Sequence, residues 1–564
     1  MNFKNLLAVF GSNGNASYAM VRLTTKEKWR IALNKFAGKM VGLVLVIIAI
    51  KWLPGLLEGT KAHAQTSPTL DSLNAHISSL LTNSSYSSGV VANTVSEGNT
   101  IWTLVAAFLV FGMQPGFTFL EAGFARRRES VNILAECIFD TCICGLLFYA
   151  VGYAFMFGQG NGFIGWGGGA LAGGDAKSWF FLQNIPDTYG STGVPILAHW
   201  IFQYAFADTT STVTSGAMIG RCGFRGDILY SIGVTGFIYP IVGHWAWGPD
   251  GWLAQMGTAG TPGDGLFHFW PSLGTFFHDF AGSTVVHTIG GMVSLAGAIV
   301  LGPRLGRVFK RDGGGMPPAS NLVVAAVGGF ILWFGWYGFN PGSTLNAYDM
   351  AGIGRVAANT TLAACGGGIT AMYMGLWFGA TKGKFDVGLA TNGFLAGLVA
   401  ITCPCYWVSP TGAVILGGVA GVVVYLGVEL LEYLRIDDPI GAVPVHGFAG
   451  MWGTWSLGLF ACGKYGITSA TGPYGTDQHP FVAGLMTDPA TTATTGLFYG
   501  GGWTLLKAQI FGNLAIVSAT LIVSFIMFYA INALPHPWKL RVEKEGEEQG
   551  LDLFEHGADA YAFE

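Results

Sequence analysis

The sequence predicts an all-α membrane protein: eleven transmembrane helices, built as two five-helix inverted repeats around a central pore, after a cleavable signal peptide. Three observations predict it. Charged residues are 11% of the 564 residues, less than half of the roughly 25% usual in soluble proteins, and hydrophobic residues reach 51%. Glycine is abundant, at 86 residues, which lets helices approach closely in lipid. After Asn99, apolar runs of about 20 residues, the length of a bilayer crossing, recur eleven times. They cover 99–124, 133–158, 195–220, 227–248, 279–302, 319–340, 350–379, 386–403, 410–434, 440–463 and 504–533.

The first 64 residues have the order of a targeting segment. Lys26, Lys28, Arg30, Lys35 and Lys39 precede a short apolar run, Met40 to Ile50, and Ala62-His63-Ala64 offers a small-x-small cleavage site. Residues 65–98 are rich in Ser, Thr and Asn and read as an extracytoplasmic stretch. The transmembrane domain is then 99–533 and the cytoplasmic tail 534–564. Connections after odd-numbered spans carry Arg126-Arg127-Arg128, Arg221 and Arg225, Arg304 to Arg311, Lys382 and Lys384, and Arg435. Connections after even-numbered spans are nearly free of Lys and Arg, apart from Lys177 and Lys464. That asymmetry predicts an outside N-terminus and a cytoplasmic C-terminus in the cell membrane.

Other classes fit poorly. A net charge of −4 gives no footprint for nucleic acid. Eight Cys in a chain this long are not a disulfide scaffold, and the pair in Cys403-Pro-Cys405 does not make a metal site. No nucleophile motif and no metal set suggest an enzyme, and no cofactor is implied.

Two segments share the pattern D-x-x-G-x-x-x-V-H: Asp279 to His287, opening the fifth span, and Asp438 to His446, leading into the tenth. Five spans separate them. Five is odd, so the second unit is inverted in the membrane, and such repeats place a site near the midplane. His287 and His446 would meet there. An imidazole suits a narrow apolar pore, since it is neutral near pH 7 and offers one donor and one acceptor. Zinc is the rival, but no third or fourth ligand stands at useful spacing. Asp279 reads both as a helix cap and as a fixed negative charge near a cation. Asp437 and Asp438 read as capping and loop-anchoring groups on the cytoplasmic side. Aromatics gather near span ends, at Phe206, Trp245, Trp247 and Trp333 through Trp336 to Phe339. They fit an interfacial belt, or a vestibule whose ring faces attract a small cation by about 0.5–2 kcal/mol per contact.

These residues resemble the ammonium transporter family, which includes methylammonium permeases and, more distantly, Rhesus proteins. Asp279 to His287 continuing to Gly302-Pro-Arg304 is similar to the family signature. So are Gly335-Trp-Tyr-Gly-Phe-Asn-Pro-Gly-Ser343, Asn359-Thr-Thr-Leu362, Asp437-Asp-Pro with Val445-His446-Gly447, and the tail from Gly550 to Tyr561. The resemblance covers residues 99–564 and implies one pore per subunit in a homotrimer. It implies that Trp247, Phe206 and Ser343 recruit ammonium, with Asp279 as the acidic residue beside them. Phe339 would gate the path beneath, and His287 and His446 would line it with Trp336. Ammonium, ammonia and methylammonium are the implied solutes, and a PII-type signal protein the implied cytoplasmic partner.

Three positions depart from the family pattern. Thr210 stands where some members carry a second gating Phe, so the gate rests on Phe339 alone. The sequence Ile219-Gly220-Arg221 lacks the glutamate of the usual Ala-Glu-Arg, which alters packing at the cytoplasmic face. Asp208 lies within a span with no secure partner. These departures keep open an ammonium sensor with little transport as the alternative function. The tail, residues 534–564, is too short for a kinase or cyclase domain.

Overall fold

Apolar runs bounded by Pro, Gly and capping side chains become helices in the computed structural model of the chain, which describes residues 84–168, 177–257, 270–379, 383–462 and 495–561. The leader with its cleavage site at Ala62-His63-Ala64, most of the 65–98 stretch, Lys382 and Lys464 lie outside the described residues. Residues 88–564 form one compact unit. Besides the short helices Tyr153–Phe157, Tyr239–Trp247 and Trp252–Gln255, the helices in chain order are α1 (Ser84–Phe111), α2 (Gln114–Phe124), α3 (Ser130–Leu147), α4 (Ile196–Gly216), α5 (Phe224–Gly233), α6 (Ile289–Leu301) and α7 (Leu322–Phe339). Then come α8 (Met350–Phe378), α9 (Val387–Thr402), α10 (Pro410–Leu434), α11 (Ala449–Phe460), α12 (Thr504–Asn532), α13 (Lys544–Gln549) and α14 (Leu551–His556).

Helix starts follow local chemistry. Asn321 accepts from the N–H groups of Val323 and Val324 at α7, Asp349 from Gly352 at α8, and Asp386 from Leu389 at α9. Ser409 does the same for Gly412 at α10, where Pro410 occupies the first turn without loss of a bond. Four π-helical turns interrupt the rods: Phe148–Gly152 after α3, Val234–Ile238 after α5, Ser283–Thr288 before α6 and Val443–Phe448 before α11.

Among the described residues, seven helical segments are long and apolar enough to cross a membrane. Large apolar side chains face outward from them, among them Ile101, Phe108, Phe330, Phe334, Ile522 and Ile526. An outer surface this apolar suits lipid, and the chain is a multi-pass membrane protein. Helices α4, α8, α9 and α11 are not among the seven. The α9 helix has only 16 residues, and α4 carries Asp208 and a run of Thr and Ser.

The end of the unit that carries the arginines is tied by ion pairs. Arg304 donates from Nε and Nη2 to the Asp437 carboxylate at 2.8 and 2.9 Å, and Arg307 adds a bond at 3.1 Å. Arg307 also pairs with Glu432 on α10. The buried Arg221 donates to the carbonyls of Gly302, Ile219 and Asp437. Burial alone would push the Asp437 carboxyl up, but the Arg304 hydrogen bonds and the charges of Arg221 and Arg304 hold it well below the usual carboxylate range. The tail docks on the same end. Arg541 donates to the carbonyls of Leu301 and Pro303, Asp552 accepts from the Asn132 N–H at 2.9 Å, and His556 meets the Asn132 side chain.

Two of the sequence departures have a structural setting here. Gly220 has φ +80, and a Cβ there would stand 2.5 Å from Glu129 Oε1. A side chain at 220 would therefore collide with Glu129, which is paired with Arg126. Asp208 is fully buried on α4, and neither carboxylate oxygen has a hydrogen-bond partner among the described residues. Its polar neighbours, Thr141 and Asp140, lie on α3. A buried carboxyl without a cation is costly at membrane depth. Asp208→Leu, which removes both unpaired oxygens at similar shape, is therefore expected to raise stability by about 1–3 kcal/mol. A thermal-unfolding scan checks this, and a lower midpoint would show that Asp208 has a partner that leucine cannot replace.

Candidate functional site

The two D-x-x-G-x-x-x-V-H segments fold alike. Asp279 accepts from the N–H groups of Gly282, Thr284 and Val285 at 3.0, 2.9 and 2.8 Å. Asp438 accepts from those of Gly441, Ala442 and Val443 at 3.0, 3.1 and 2.8 Å. Each Asp thus caps a turn, each turn passes through a glycine of positive φ (Gly282 at +111, Gly441 at +79), and each continues into a π-helical turn that carries its histidine. Both Asp279 and Asp438 spend their carboxylates on backbone N–H groups.

The turns meet back to back. A Cβ on Gly291 would lie 2.2 Å from the backbone N of Gly447, so only glycine admits this approach. The result is a buried contact between His287 and His446, with Nδ1 to Nδ1 at 3.2 Å and ring centroids at 5.3 Å. For two neutral rings that contact holds one proton: one Nδ1 donates and the other accepts. The rings are then opposite tautomers, so one Nε2 is an acceptor and the other a donor. His287 Nε2 is buried without a partner among the described residues.

Aromatic rings cover His287. Trp336 stacks on it at 5.1 Å and Phe339 at 5.3 Å, each tilted by 23°. Beyond Phe339 lies Phe206 on α4, stacked at 4.0 Å and 25°. Phe202, one turn earlier, packs on Phe206 at 4.7 Å. Phe206 and Phe339 thus form a stacked aromatic plug over His287. The reason is the i, i+4 spacing of Phe202 and Phe206, which lays both rings against the end of α7.

Past the plug is a small cavity with room for one solute the size of water, lined by Phe202, Gln203, Phe206, Trp247, Phe280, Ser343 and Leu345. Trp247 is held there by a bond from its indole N–H to the Asp279 carbonyl, 2.8 Å. Ser343 donates its hydroxyl to the Phe339 carbonyl at 2.7 Å, which leaves its oxygen lone pairs to accept. The cavity thus pairs ring faces with a hydroxyl acceptor, a set suited to a small cation that donates hydrogen bonds. Asp279 does not line it. Its carboxylate stands behind the wall, and its carbonyl anchors Trp247.

The structure therefore brings together Trp247, Phe206 and Ser343, and separately Phe339, Trp336, His287 and His446. Sequence reasoning did not name Gln203, Phe280 or Leu345. A signal for Gln203 existed: it stands one turn after His199 on an apolar helix, and the two side chains meet at 3.3 Å. Among the described residues, no group of three or more His, Cys, Asp or Glu is placed to hold a metal ion.

Residues 101–561 match the model of the Ammonium Transporter Family. Ammonium transporter Amt2 of Archaeoglobus fulgidus is 39% identical over 466 residues, which is 82% of this chain and 87% of that protein. A putative ammonium transporter of Synechocystis is 37% identical over 81% of this chain and 88% of its own length. Among solved structures, one titled as a sensor Amt protein has a TM-score of 0.66 at 32% identity, covering 82% of this chain and 99% of its own. Mep2 of Saccharomyces cerevisiae follows at 0.64 and 26%, covering 79% and 88%. Family members are transporters and not enzymes, and by sequence and fold this chain belongs to the ammonium transporter family.

Proposed function

We propose that the chain takes up ammonium by binding it in the Trp247–Phe206–Ser343 cavity and parting it there into ammonia, which passes beyond Phe206 and Phe339 to the His287–His446 pair, and a proton, which is relayed separately through the same imidazoles and rejoins ammonia on the inner side. One observation carries this reading: a cavity with ring faces and a hydroxyl acceptor is separated by a stacked aromatic pair from two buried imidazoles in contact. Ring faces and Ser343 favour a cation that donates directional hydrogen bonds. A bare cation moved into the apolar region beyond would lose many kcal/mol of hydration. Ammonia carries no charge and escapes most of that loss. Potassium has no proton to give up and is stopped at the plug. Methylammonium has the same N–H chemistry and follows the same route. Asp279 acts by fixing Trp247 and by adding negative charge behind the cavity wall.

In this reading all eleven helical rods span the membrane, including α4, α8, α9 and α11. The N-terminus is outside after removal of residues 1–64, and the C-terminus is cytoplasmic. The subunit works in a homotrimer. The arginine-rich end, with the docked tail, is the face available to a PII-type signal protein. Transport is favoured over a purely sensing role, because the relatives at 39% and 37% identity are described as transporters. Uptake of labelled methylammonium by proteoliposomes tests it. Uptake that saturates and is displaced by ammonium is expected, and empty-liposome rates from folded protein would sink the transport reading.

A further inference from the structure

Trp336 presents an indole N–H deep in the protein, where an unpaired donor is costly. It finds one acceptor. The N–H donates to the Thr402 hydroxyl at 2.9 Å, at the last residue of α9. Thr402 is fully buried, and its own hydroxyl proton goes to the Leu398 carbonyl at 2.7 Å. The hydroxyl is thus oriented by its helix, with a lone pair turned to the indole. The same residue also holds the histidine turn, since its carbonyl accepts from the Ala281 N–H at 3.2 Å. Its neighbours add two more ties: Ser283 donates to the Val399 carbonyl at 2.7 Å and accepts from the Cys403 N–H at 2.6 Å.

The end of α9 therefore grips both sides of one stack: the turn that carries His287, and the indole that lies on its ring at 5.1 Å. We infer that Thr402 is a positioning residue for the conduit. Its hydroxyl locks the Trp336 ring against His287, and so sets the width and orientation at the imidazole pair. The consequence is discrimination by size. With the indole fixed, ammonia passes and methylamine passes poorly. With the indole free to turn, the preference weakens and passage slows, because His287 loses the surface that holds its ring. This inference rests on the transport reading above for its flux readout, and on geometry alone for the rest.

The test is a double-mutant cycle on Thr402→Val and Trp336→Phe in proteoliposomes, with Thr402→Ser as the conservative control. Valine keeps the volume and removes the acceptor. Phenylalanine keeps a ring and removes the donor. Thr402→Val is expected to slow ammonium flux about 3- to 10-fold and to narrow the ammonium-to-methylammonium ratio by a similar factor, a barrier change of up to about 1.4 kcal/mol. Thr402→Ser restores both. Adding Thr402→Val to Trp336→Phe produces no further change. Equal impairment by serine and valine, or additive effects in the double variant, would overturn the inference. If the wild-type protein carries no ammonium, the transport reading fails by itself. The positioning claim then rests on a cryo-EM map of the Thr402→Val variant. A displaced Trp336 ring supports it, and an unmoved ring refutes it. Should that variant not fold, maps of Thr402→Ser and Trp336→Phe decide the same point: the ring is expected to stay stacked in the first and shift in the second.

Discussion

Replacing His287 by alanine is expected to cut ammonium flux by about tenfold or more, a barrier increase of about 1.4 kcal/mol for each factor of ten. Three losses combine. The Nδ1 contact to His446 at 3.2 Å disappears, so the surviving imidazole is left with an unpaired nitrogen in a buried place. On the proposed route, ammonia loses one of the two imidazoles it passes. Trp336 and Phe339 lose the ring on which both stack, so the plug loosens at its inner side. His446→Ala is expected to be milder on packing, because no ring but His287 is stacked on His446 among the described contacts. Flux measured on both variants separates the shared loss, the hydrogen-bonded pair, from the loss unique to His287. Equal and small effects from both would mean that the pair does not guide the solute.

The second large effect concerns stability. Asp437→Asn is expected to destabilise the folded chain by about 3–5 kcal/mol, the range for breaking one side of a buried ion pair. Arg304 is nearly buried and donates two side-chain bonds to this carboxylate, and Arg307 donates a third. Neutralising the acceptor leaves the nearly buried Arg304 without its carboxylate, while Arg307 keeps only Glu432. The pH dependence follows from the sign of the shift. The folded Asp437 carboxyl lies below its unfolded value of about 3.9. Its contribution is therefore complete above the unfolded value, and is lost only as pH falls through the lower folded one. Thermal midpoints of wild type and Asp437→Asn should differ by a constant amount from pH 8 down to about pH 5 and converge below about pH 4. A variant as stable as wild type at pH 7 would remove Asp437 from its anchoring role.

Much of this was legible in the sequence, and for physical reasons. The repeated D-x-x-G-x-x-x-V-H pattern encodes a cap, a positive-φ turn and an inward histidine, and all three parts depend on residue type at fixed spacing. The polar stretches between apolar runs marked the helix ends, because Asn321, Asp349, Asp386 and Ser409 are local caps. What spacing does not encode is a contact between distant helices. Phe280 and Leu345 enter the cavity wall only because the 279–288 turn and the end of α7 converge. The Thr402–Trp336 bond joins residues 66 apart on two different helices. The stacking of Phe206 on Phe339 likewise depends on how α4 crosses α7, which no local spacing encodes. The approach of Glu129 to Gly220 is the same kind of event, a contact between segments far apart in the chain.

Charge movement on a supported membrane of reconstituted protein, after equal concentration jumps of ammonium and of potassium, tests the central claim most directly. The account predicts a transient current with ammonium and none with potassium, because only ammonium can part into a neutral molecule that crosses the Phe206–Phe339 plug and a proton that is relayed separately along the His287–His446 pair, the two recombining inside so that one charge crosses per nitrogen. Potassium currents as large as those with ammonium, or no ammonium current at any pH from a folded preparation, would contradict it.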